Sequence, residues 1–223
     1  MTRIQAVVFD LDGTLLDTIA DLTGAINRSL AACGLPAHTV DECRGYVGGG
    51  IREAVRRALP PDSSDELIDR VLALYKNDYP HHCAEQTTWY PGVPELLERL
   101  ARRGLLLGVL SNKTEATAQQ VVKTFFPDVP FRCVLGRAEG RPLKPDPGAA
   151  APVLAAMGLA AGAVAYVGDS GTDMAFARAA GMLPVAAPWG YRSREELAEQ
   201  GAVLMPACPA ELEDLLAPYC GQN

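Results

Sequence analysis

Asp10 and Asp12 close the apolar run Ala6-Val7-Val8-Phe9 and are followed at once by Gly13-Thr14. In extended backbone, residues i and i+2 point the same way, so the two carboxylates share one site. Two like charges so close need a cation or a shared proton. Val164-Ala165-Tyr166-Val167-Gly168 leads to Asp169 in the same manner, and Asp173 follows one turn later. Acids favour helix N-termini, which would account for Asp173 without chemistry; Asp169 has no such explanation. Carboxylates converging at strand ends suggest a hard, oxygen-preferring cation, of which Mg²⁺ typically takes one or two carboxylates together with phosphate.

Three further stretches carry complementary groups. Leu105-Leu106-Leu107-Gly108-Val109-Leu110 runs into Ser111-Asn112-Lys113. A hydroxyl and free N–H groups between a strand and a helix suit an anion, although Ser and Asn are equally ordinary helix caps. Lys144 stands among Pro142, Pro145 and Pro147, whose restricted φ holds an ammonium in a fixed place. In Gly45-Tyr46-Val47-Gly48-Gly49-Gly50-Ile51-Arg52 the glycines allow close backbone approach to a ligand, or simply make a turn between helices. Arg52 is suited to a carboxylate or phosphate, or else is a solvated helix charge.

The elements that must position these residues alternate. Short apolar runs at 6–9, 105–110, 131–135, 164–168 and 183–187 read as buried parallel strands, with a further edge strand at 202–205. Helices are expected at 93–103, where Pro94 sits in the first turn, at 114–126 and 148–157, from about 173 to 180, and at 211–217. From Asp17 to about Pro80 the texture is different. Ile19, Leu22, Ile26 and Leu30 recur at helical spacing until Gly34 and Pro36. Thr39 with Glu42, Ser63 with Glu66, and later Ser193 with Glu196, read as capping boxes. Leu67, Ile68, Val71, Leu72 and Tyr75 make another apolar stripe. About four helices inserted after the first strand suggest a separate lid; the alternative is a helical excursion packed onto the sheet.

Composition limits the function classes. The 223 residues are 48% hydrophobic, enough for one core and a smaller insertion. A net charge of −7 with both signs interspersed argues against nucleic acid as a partner. No apolar run approaches the length of a membrane span, and the first strand starts too early for a signal peptide. Cys33, Cys43, Cys83, Cys133, Cys208 and Cys220 show no metal or disulfide spacing, as expected of thiols in a cytoplasmic protein. An acidic chain that handles phosphate must create positive potential locally, and Lys144 is the expected source.

Asp10-Leu11-Asp12-Gly13-Thr14-Leu15-Leu16-Asp17-Thr18 resembles the first motif of the haloacid dehalogenase superfamily of phosphotransferases. Ser111-Asn112, Lys144-Pro145-Asp146-Pro147 and Gly168-Asp169-Ser170-Gly171-Thr172-Asp173 resemble its second, third and fourth motifs, in order and over essentially the whole chain. The resemblance implies a Rossmann-like parallel sheet of α/β class with an inserted all-helical cap, the core at 1–14 and 90–223 and the cap at 15–89. It implies Asp10 as nucleophile forming an aspartyl-phosphate, Asp12 as general acid and base, and Lys144 as the catalytic cation. Thr14, Ser111 and Asn112 would bind substrate, and Asp10, Asp12, Asp169 and Asp173 would hold Mg²⁺. The glycine loop and Trp189-Gly190-Tyr191 resemble the phosphoglycolate phosphatase branch, with Gly49, where that branch commonly has Asn, and Arg52 as cap residues reading the substrate.

The expected activity is hydrolysis of a small phosphorylated metabolite by a monomer or homodimer. A β-phosphoglucomutase-like transferase and a pyrophosphatase share these motifs. A receiver-like signalling domain also phosphorylates an Asp but carries no inserted lid, and the family's dehalogenases lack the second acid that Asp12 supplies.

Overall fold

The computed structural model describes residues 3–221. The chain begins with β1 (Ala6–Phe9) and the two-residue β2 (Leu16–Asp17), then α1 (Ile19–Ala31), α2 (Val40–Tyr46), α3 (Ile51–Ala58) and α4 (Asp65–His82). It continues with β3 (Thr88–Trp89), α5 (Val93–Arg102), β4 (Leu106–Thr114), α6 (Glu115–Phe125) and β5 (Phe131–Arg137). Then come α7 (Ala150–Met157), β6 (Val164–Gly168), α8 (Gly171–Ala179), β7 (Leu183–Ala186), α9 (Arg194–Glu199) and α10 (Pro209–Cys220). It divides into two compact units, residues 1–16 with 89–223, and residues 17–88.

The first unit is α/β. Five parallel strands take the order β5-β4-β1-β6-β7. The chain leaves β1 for β4 and β5 on one side, then crosses to β6 and β7 on the other, so the order reverses at β1. That reversal is where open α/β sheets bind ligands, beyond the carboxyl ends of their strands. All four residues of β1 are buried, as a strand covered on both faces requires. Ala6, Val8, Val164 and Tyr166 pack with Ala150, Val153 and Met157 of α7 and Phe176 and Ala177 of α8. Phe9 pairs with Val109 on one side and Val167 on the other. This register carries Asp10, Ser111 and Asp169 to one end of the sheet.

The second unit is the predicted bundle of helices. Ile19, Leu22, Ala25, Ile26 and Leu30 of α1 are buried, as are Ile68, Val71, Leu72, Tyr75 and Tyr79 of α4. The guanidinium of Arg28 donates to both oxygens of Asp78. Asp21 is buried and accepts from the backbone N–H groups of Glu85, Gln86 and Thr87 and from the Thr87 hydroxyl. One carboxylate thus satisfies a turn that has no secondary structure to do so.

Several expected elements differ in detail. β4 runs past Leu110 to Thr114, because a register shift lets it meet Arg137 of a longer β5. Residues 202–205 make only a single bridge, Val185 with Leu204. Pro184, whose C=O accepts from Val203 and Leu204, has no N–H to return to that edge. The helix expected at 148–157 opens with a 3₁₀ turn at Pro147–Ala149. The last helix is longer than expected, starting at Pro209. Thr39 and Glu42 form the expected capping box. At α4, however, the cap is Ser64, which accepts from Leu67 N–H, not Ser63. Either serine could start that helix, and the extended backbone at Ser64 decides it.

Candidate active site

The network begins at the end of β1. Asp10 donates its N–H to the Val167 carbonyl, tying the first strand end to that of β6. Its Oδ1 is buried and accepts no hydrogen bond; Lys144 Nζ is 3.0 Å away as an ion pair, without the alignment to donate. Burial raises the Asp10 carboxyl, Lys144 opposes the shift, and Asp173 and Asp12 add to it, leaving it at about 6 against an ordinary 3.8.

Lys144 is itself buried. Its ammonium donates to Tyr166 Oη and to Asp173 Oδ1, both at 2.7 Å. Burial disfavours this cation, but the Asp10 and Asp173 carboxylates outweigh burial and hold it above the usual lysine range. Tyr166 donates in turn to the Leu110 carbonyl. Asp173 caps α8: its Oδ2 accepts from the N–H and hydroxyl of Ser170, whose own hydroxyl accepts from Asp173 N–H. Asp173 is therefore both the expected helix-start acid and a partner of the buried lysine.

Thr14 and Asp169 meet across the turn after β1. The buried Thr14 hydroxyl donates to Asp169 Oδ1 at 3.4 Å, and Tyr191 N–H donates to Asp169 Oδ2 at 2.8 Å. Burial holds the Asp169 carboxyl well above its ordinary value, helped by Asp173 and Asp10 and opposed by the Tyr191 N–H and Arg192. The approach is close enough to require glycine twice. A Cβ on Gly13, which has φ +84°, would lie 2.2 Å from Asp169 Oδ2. One on Gly190 would lie 2.1 Å from the Gly13 carbonyl oxygen and 2.4 Å from Asp169 Cβ. Trp189 Nε1 completes the contact by donating to the Thr14 carbonyl at 2.9 Å. Trp189-Gly190-Tyr191, which had no chemical role on sequence grounds, is thus the clamp on the Asp-Gly-Thr turn.

The extension of β4 sorts the next residues by face, since alternate side chains of extended backbone point opposite ways. Asn112 faces the proline-rich loop, exchanging two hydrogen bonds of 3.0 Å with the backbone of Lys144. The Ser111 hydroxyl accepts from Lys113 N–H, and Lys113 Nζ donates to Asp12 Oδ1 at 2.6 Å. Hydrogen bonds and ion pairs thus join Asp10, Asn112, Lys144 and Asp173 in one set, Asp12, Lys113 and Ser111 in a second, and Thr14 and Asp169 in a third. Sequence reasoning missed Lys113, Tyr166 and the side-chain role of Asn112. Only a polar tip within an apolar strand hinted at Tyr166.

Oxygen atoms of Asp10, Asp169 and Asp173 lie within 4.8 Å of one another. Three carboxylates, one with an oxygen that lacks a hydrogen bond, could hold a hard divalent cation. Asp12 is outside this trio, with its Oδ1 on Lys113. Gly49 and Arg52 lie in the helical unit, Gly49 between α2 and α3. There the Arg52 guanidinium forms exposed ion pairs with Asp65 and Asp69.

Comparison with known proteins agrees with this geometry. A family model described as haloacid dehalogenase-like hydrolase matches residues 7–187. The chain is 34% identical over 210 residues to phosphoglycolate phosphatase 1 of Pseudomonas aeruginosa, covering 92% of this chain and 77% of that one. It is 35% identical over 223 residues to a phosphoglycolate phosphatase of Chromobacterium violaceum, covering 97% and 98%. Among solved structures, a Lactobacillus delbrueckii protein provisionally named phosphoglycolate phosphatase superposes with a TM-score of 0.91 at 31% identity, covering 96% of this chain and 99% of that one.

Proposed function

The chain belongs to the haloacid dehalogenase-like hydrolases, and on that premise we propose that it is a Mg²⁺-dependent phosphatase hydrolysing phosphoglycolate or a closely similar small phosphate monoester. The observation that carries the reading is the strand-end cluster, in which the Asp10 oxygen without a hydrogen bond faces Lys144 and two further carboxylates.

Asp10 is the nucleophile, and its attack on phosphorus gives an aspartyl-phosphate as the ester oxygen leaves. Asp12 protonates that oxygen, then takes a proton from the water that splits the acyl phosphate. One carboxyl serves both half-reactions because the proton moves in opposite directions in them. Lys144 places positive charge where the phosphoryl oxygens gather negative charge, the main electrostatic demand of such transfers. Ser111 and the Asn112 N–H bind the phosphoryl group, and Thr14 steadies Asp169. Asp10, Asp169 and Asp173, with Asp12 beside them, would hold Mg²⁺, which supplies further neutralisation of the transferring group.

Gly49 and Arg52 are assigned to the substrate's far end, where phosphoglycolate carries a carboxylate that a guanidinium can pair with bidentately. The ion pairs that Arg52 now makes are exposed and screened by solvent, so such a carboxylate can displace them. All six cysteines are free, which suits the reducing cytoplasm where we place the enzyme. Among the described residues no helix is long and apolar enough to cross a membrane.

The test is kcat/KM for phosphoglycolate against β-glucose 1-phosphate, pyrophosphate, phosphoserine and p-nitrophenyl phosphate, with Mg²⁺ and with EDTA. Phosphoglycolate is expected among the best substrates, and EDTA is expected to abolish turnover. A poor rate on phosphoglycolate alone would overturn the branch assignment, and full activity in EDTA the metal.

A further inference from the structure

Lys113 and Asp12 form an ion pair that the chemistry above does not use. Their side chains are 5% and 17% exposed, with Nζ 2.6 Å from Oδ1. A buried ion pair is weak evidence for stability, because desolvation cancels much of the attraction. Ordering a lysine side chain also costs conformational entropy. The position suggests another use. Adjacent residues of β4 face opposite ways: Asn112 holds the backbone of Lys144, and Lys113 holds the side chain of Asp12. The Lys113 N–H is itself anchored on the Ser111 hydroxyl. One extended segment therefore fixes two charged groups of the site from two sides.

Resting on the phosphatase reading, we propose that Lys113 is a positioning residue for proton transfer. By anchoring one oxygen of Asp12, it stops the carboxylate from rotating and presents the other to the leaving oxygen and then to the attacking water. Proton transfer requires the acid within hydrogen-bond reach of its target, so a loosened Asp12 slows both half-reactions. Lys113 does not touch substrate; its effect passes through Asp12.

The test compares the full chain with Lys113→Met, Lys113→Arg, Asp12→Asn and the Lys113→Met/Asp12→Asn pair, on phosphoglycolate and p-nitrophenyl phosphate with Mg²⁺. Lys113→Met is expected to lower kcat about ten- to a hundredfold, the scale of a displaced acid–base group, with KM nearly unchanged. Lys113→Arg should recover much of the loss. In the Asp12→Asn background Lys113→Met should cost less than about threefold more, since a residue acting through Asp12 has nothing left to position. Equal losses in both backgrounds, or a raised KM with kcat retained, would overturn the proposal, the second in favour of a substrate contact. Thermal melts accompany each variant. If Lys113→Met fails to fold, Lys113→Gln takes its place, and if both fail while Lys113→Arg folds, the pair is structural and the proposal falls. A wild-type chain without phosphatase activity sinks the functional reading and this proposal with it. An active wild type indifferent to Lys113→Met sinks this proposal alone.

Discussion

At the scale of single residues, Asp10 combines two opposed properties. Its strand-end position and the neighbouring ammonium suit a nucleophile, while burial and the acids around it raise its pKa to about 6. An acid raised in the folded chain keeps its proton where the unfolded chain has released it. Its contribution to stability is therefore greatest below about pH 4 and falls as the pH rises through about 6. Asp10→Asn should abolish turnover, since an amide is a poor nucleophile; activity within about tenfold of wild type, or 1.4 kcal/mol of barrier, would rule Asp10 out. Without metal the same variant should be more stable than wild type near neutral pH, by at most about 3 kcal/mol at 1.36 kcal/mol per pKa unit. That gain should vanish below about pH 4 in urea unfolding curves, because the wild-type carboxyl is then neutral too.

At the scale of elements, the loop after β7 is as much a part of the site as the turn after β1. Gly190→Ala must push a methyl group into the Gly13 carbonyl and Asp169. Overpacking of this kind costs about 1–3 kcal/mol, measurable by urea unfolding. Asp169 should shift with it, so activity should fall by more than the loss of stability explains. The start of α4 offers a separate check. Ser64→Ala removes the acceptor of Leu67 N–H and should cost about 1 kcal/mol. Ser63→Ala, one residue earlier, should stay within about 0.5 kcal/mol. Reversed effects would place the cap where the sequence pattern put it.

At the scale of the molecule, all the expected metal ligands belong to one of the two units. Asp10, Asp12, Asp169 and Asp173 lie in residues 1–16 and 89–223, and α1 to α4 lie in residues 17–88. Mg²⁺ should therefore slow amide hydrogen exchange in the loops following β1 and β6 and leave the helices of the second unit nearly unchanged. Binding stabilises only the conformations that bind, and local opening is not uniform across a structure. Protection spread evenly over both units would mean that the cation acts elsewhere or on the whole fold.

The sequence by itself determined the features that depend on neighbours along the chain. Continuous apolar runs ended by turn chemistry marked β1, β6 and their terminal acids, and helical spacing marked α1 and α4. The strand-end rule then put Asp10, Ser111 and Asp169 in one place, and the motif resemblance assigned their expected roles. Boundaries were less legible: Ser111-Asn112 looked like a strand end, whereas pairing with β5 carries β4 to Thr114. What only the tertiary structure decided is which distant groups meet. Trp189 reaches Thr14 across 175 residues, Lys113 reaches Asp12 across 101, and Tyr166 reaches Lys144 across 22. Nothing local specifies such pairs. Strand order and register bring the chain segments together, and the burial that follows obliges each polar group to find a partner.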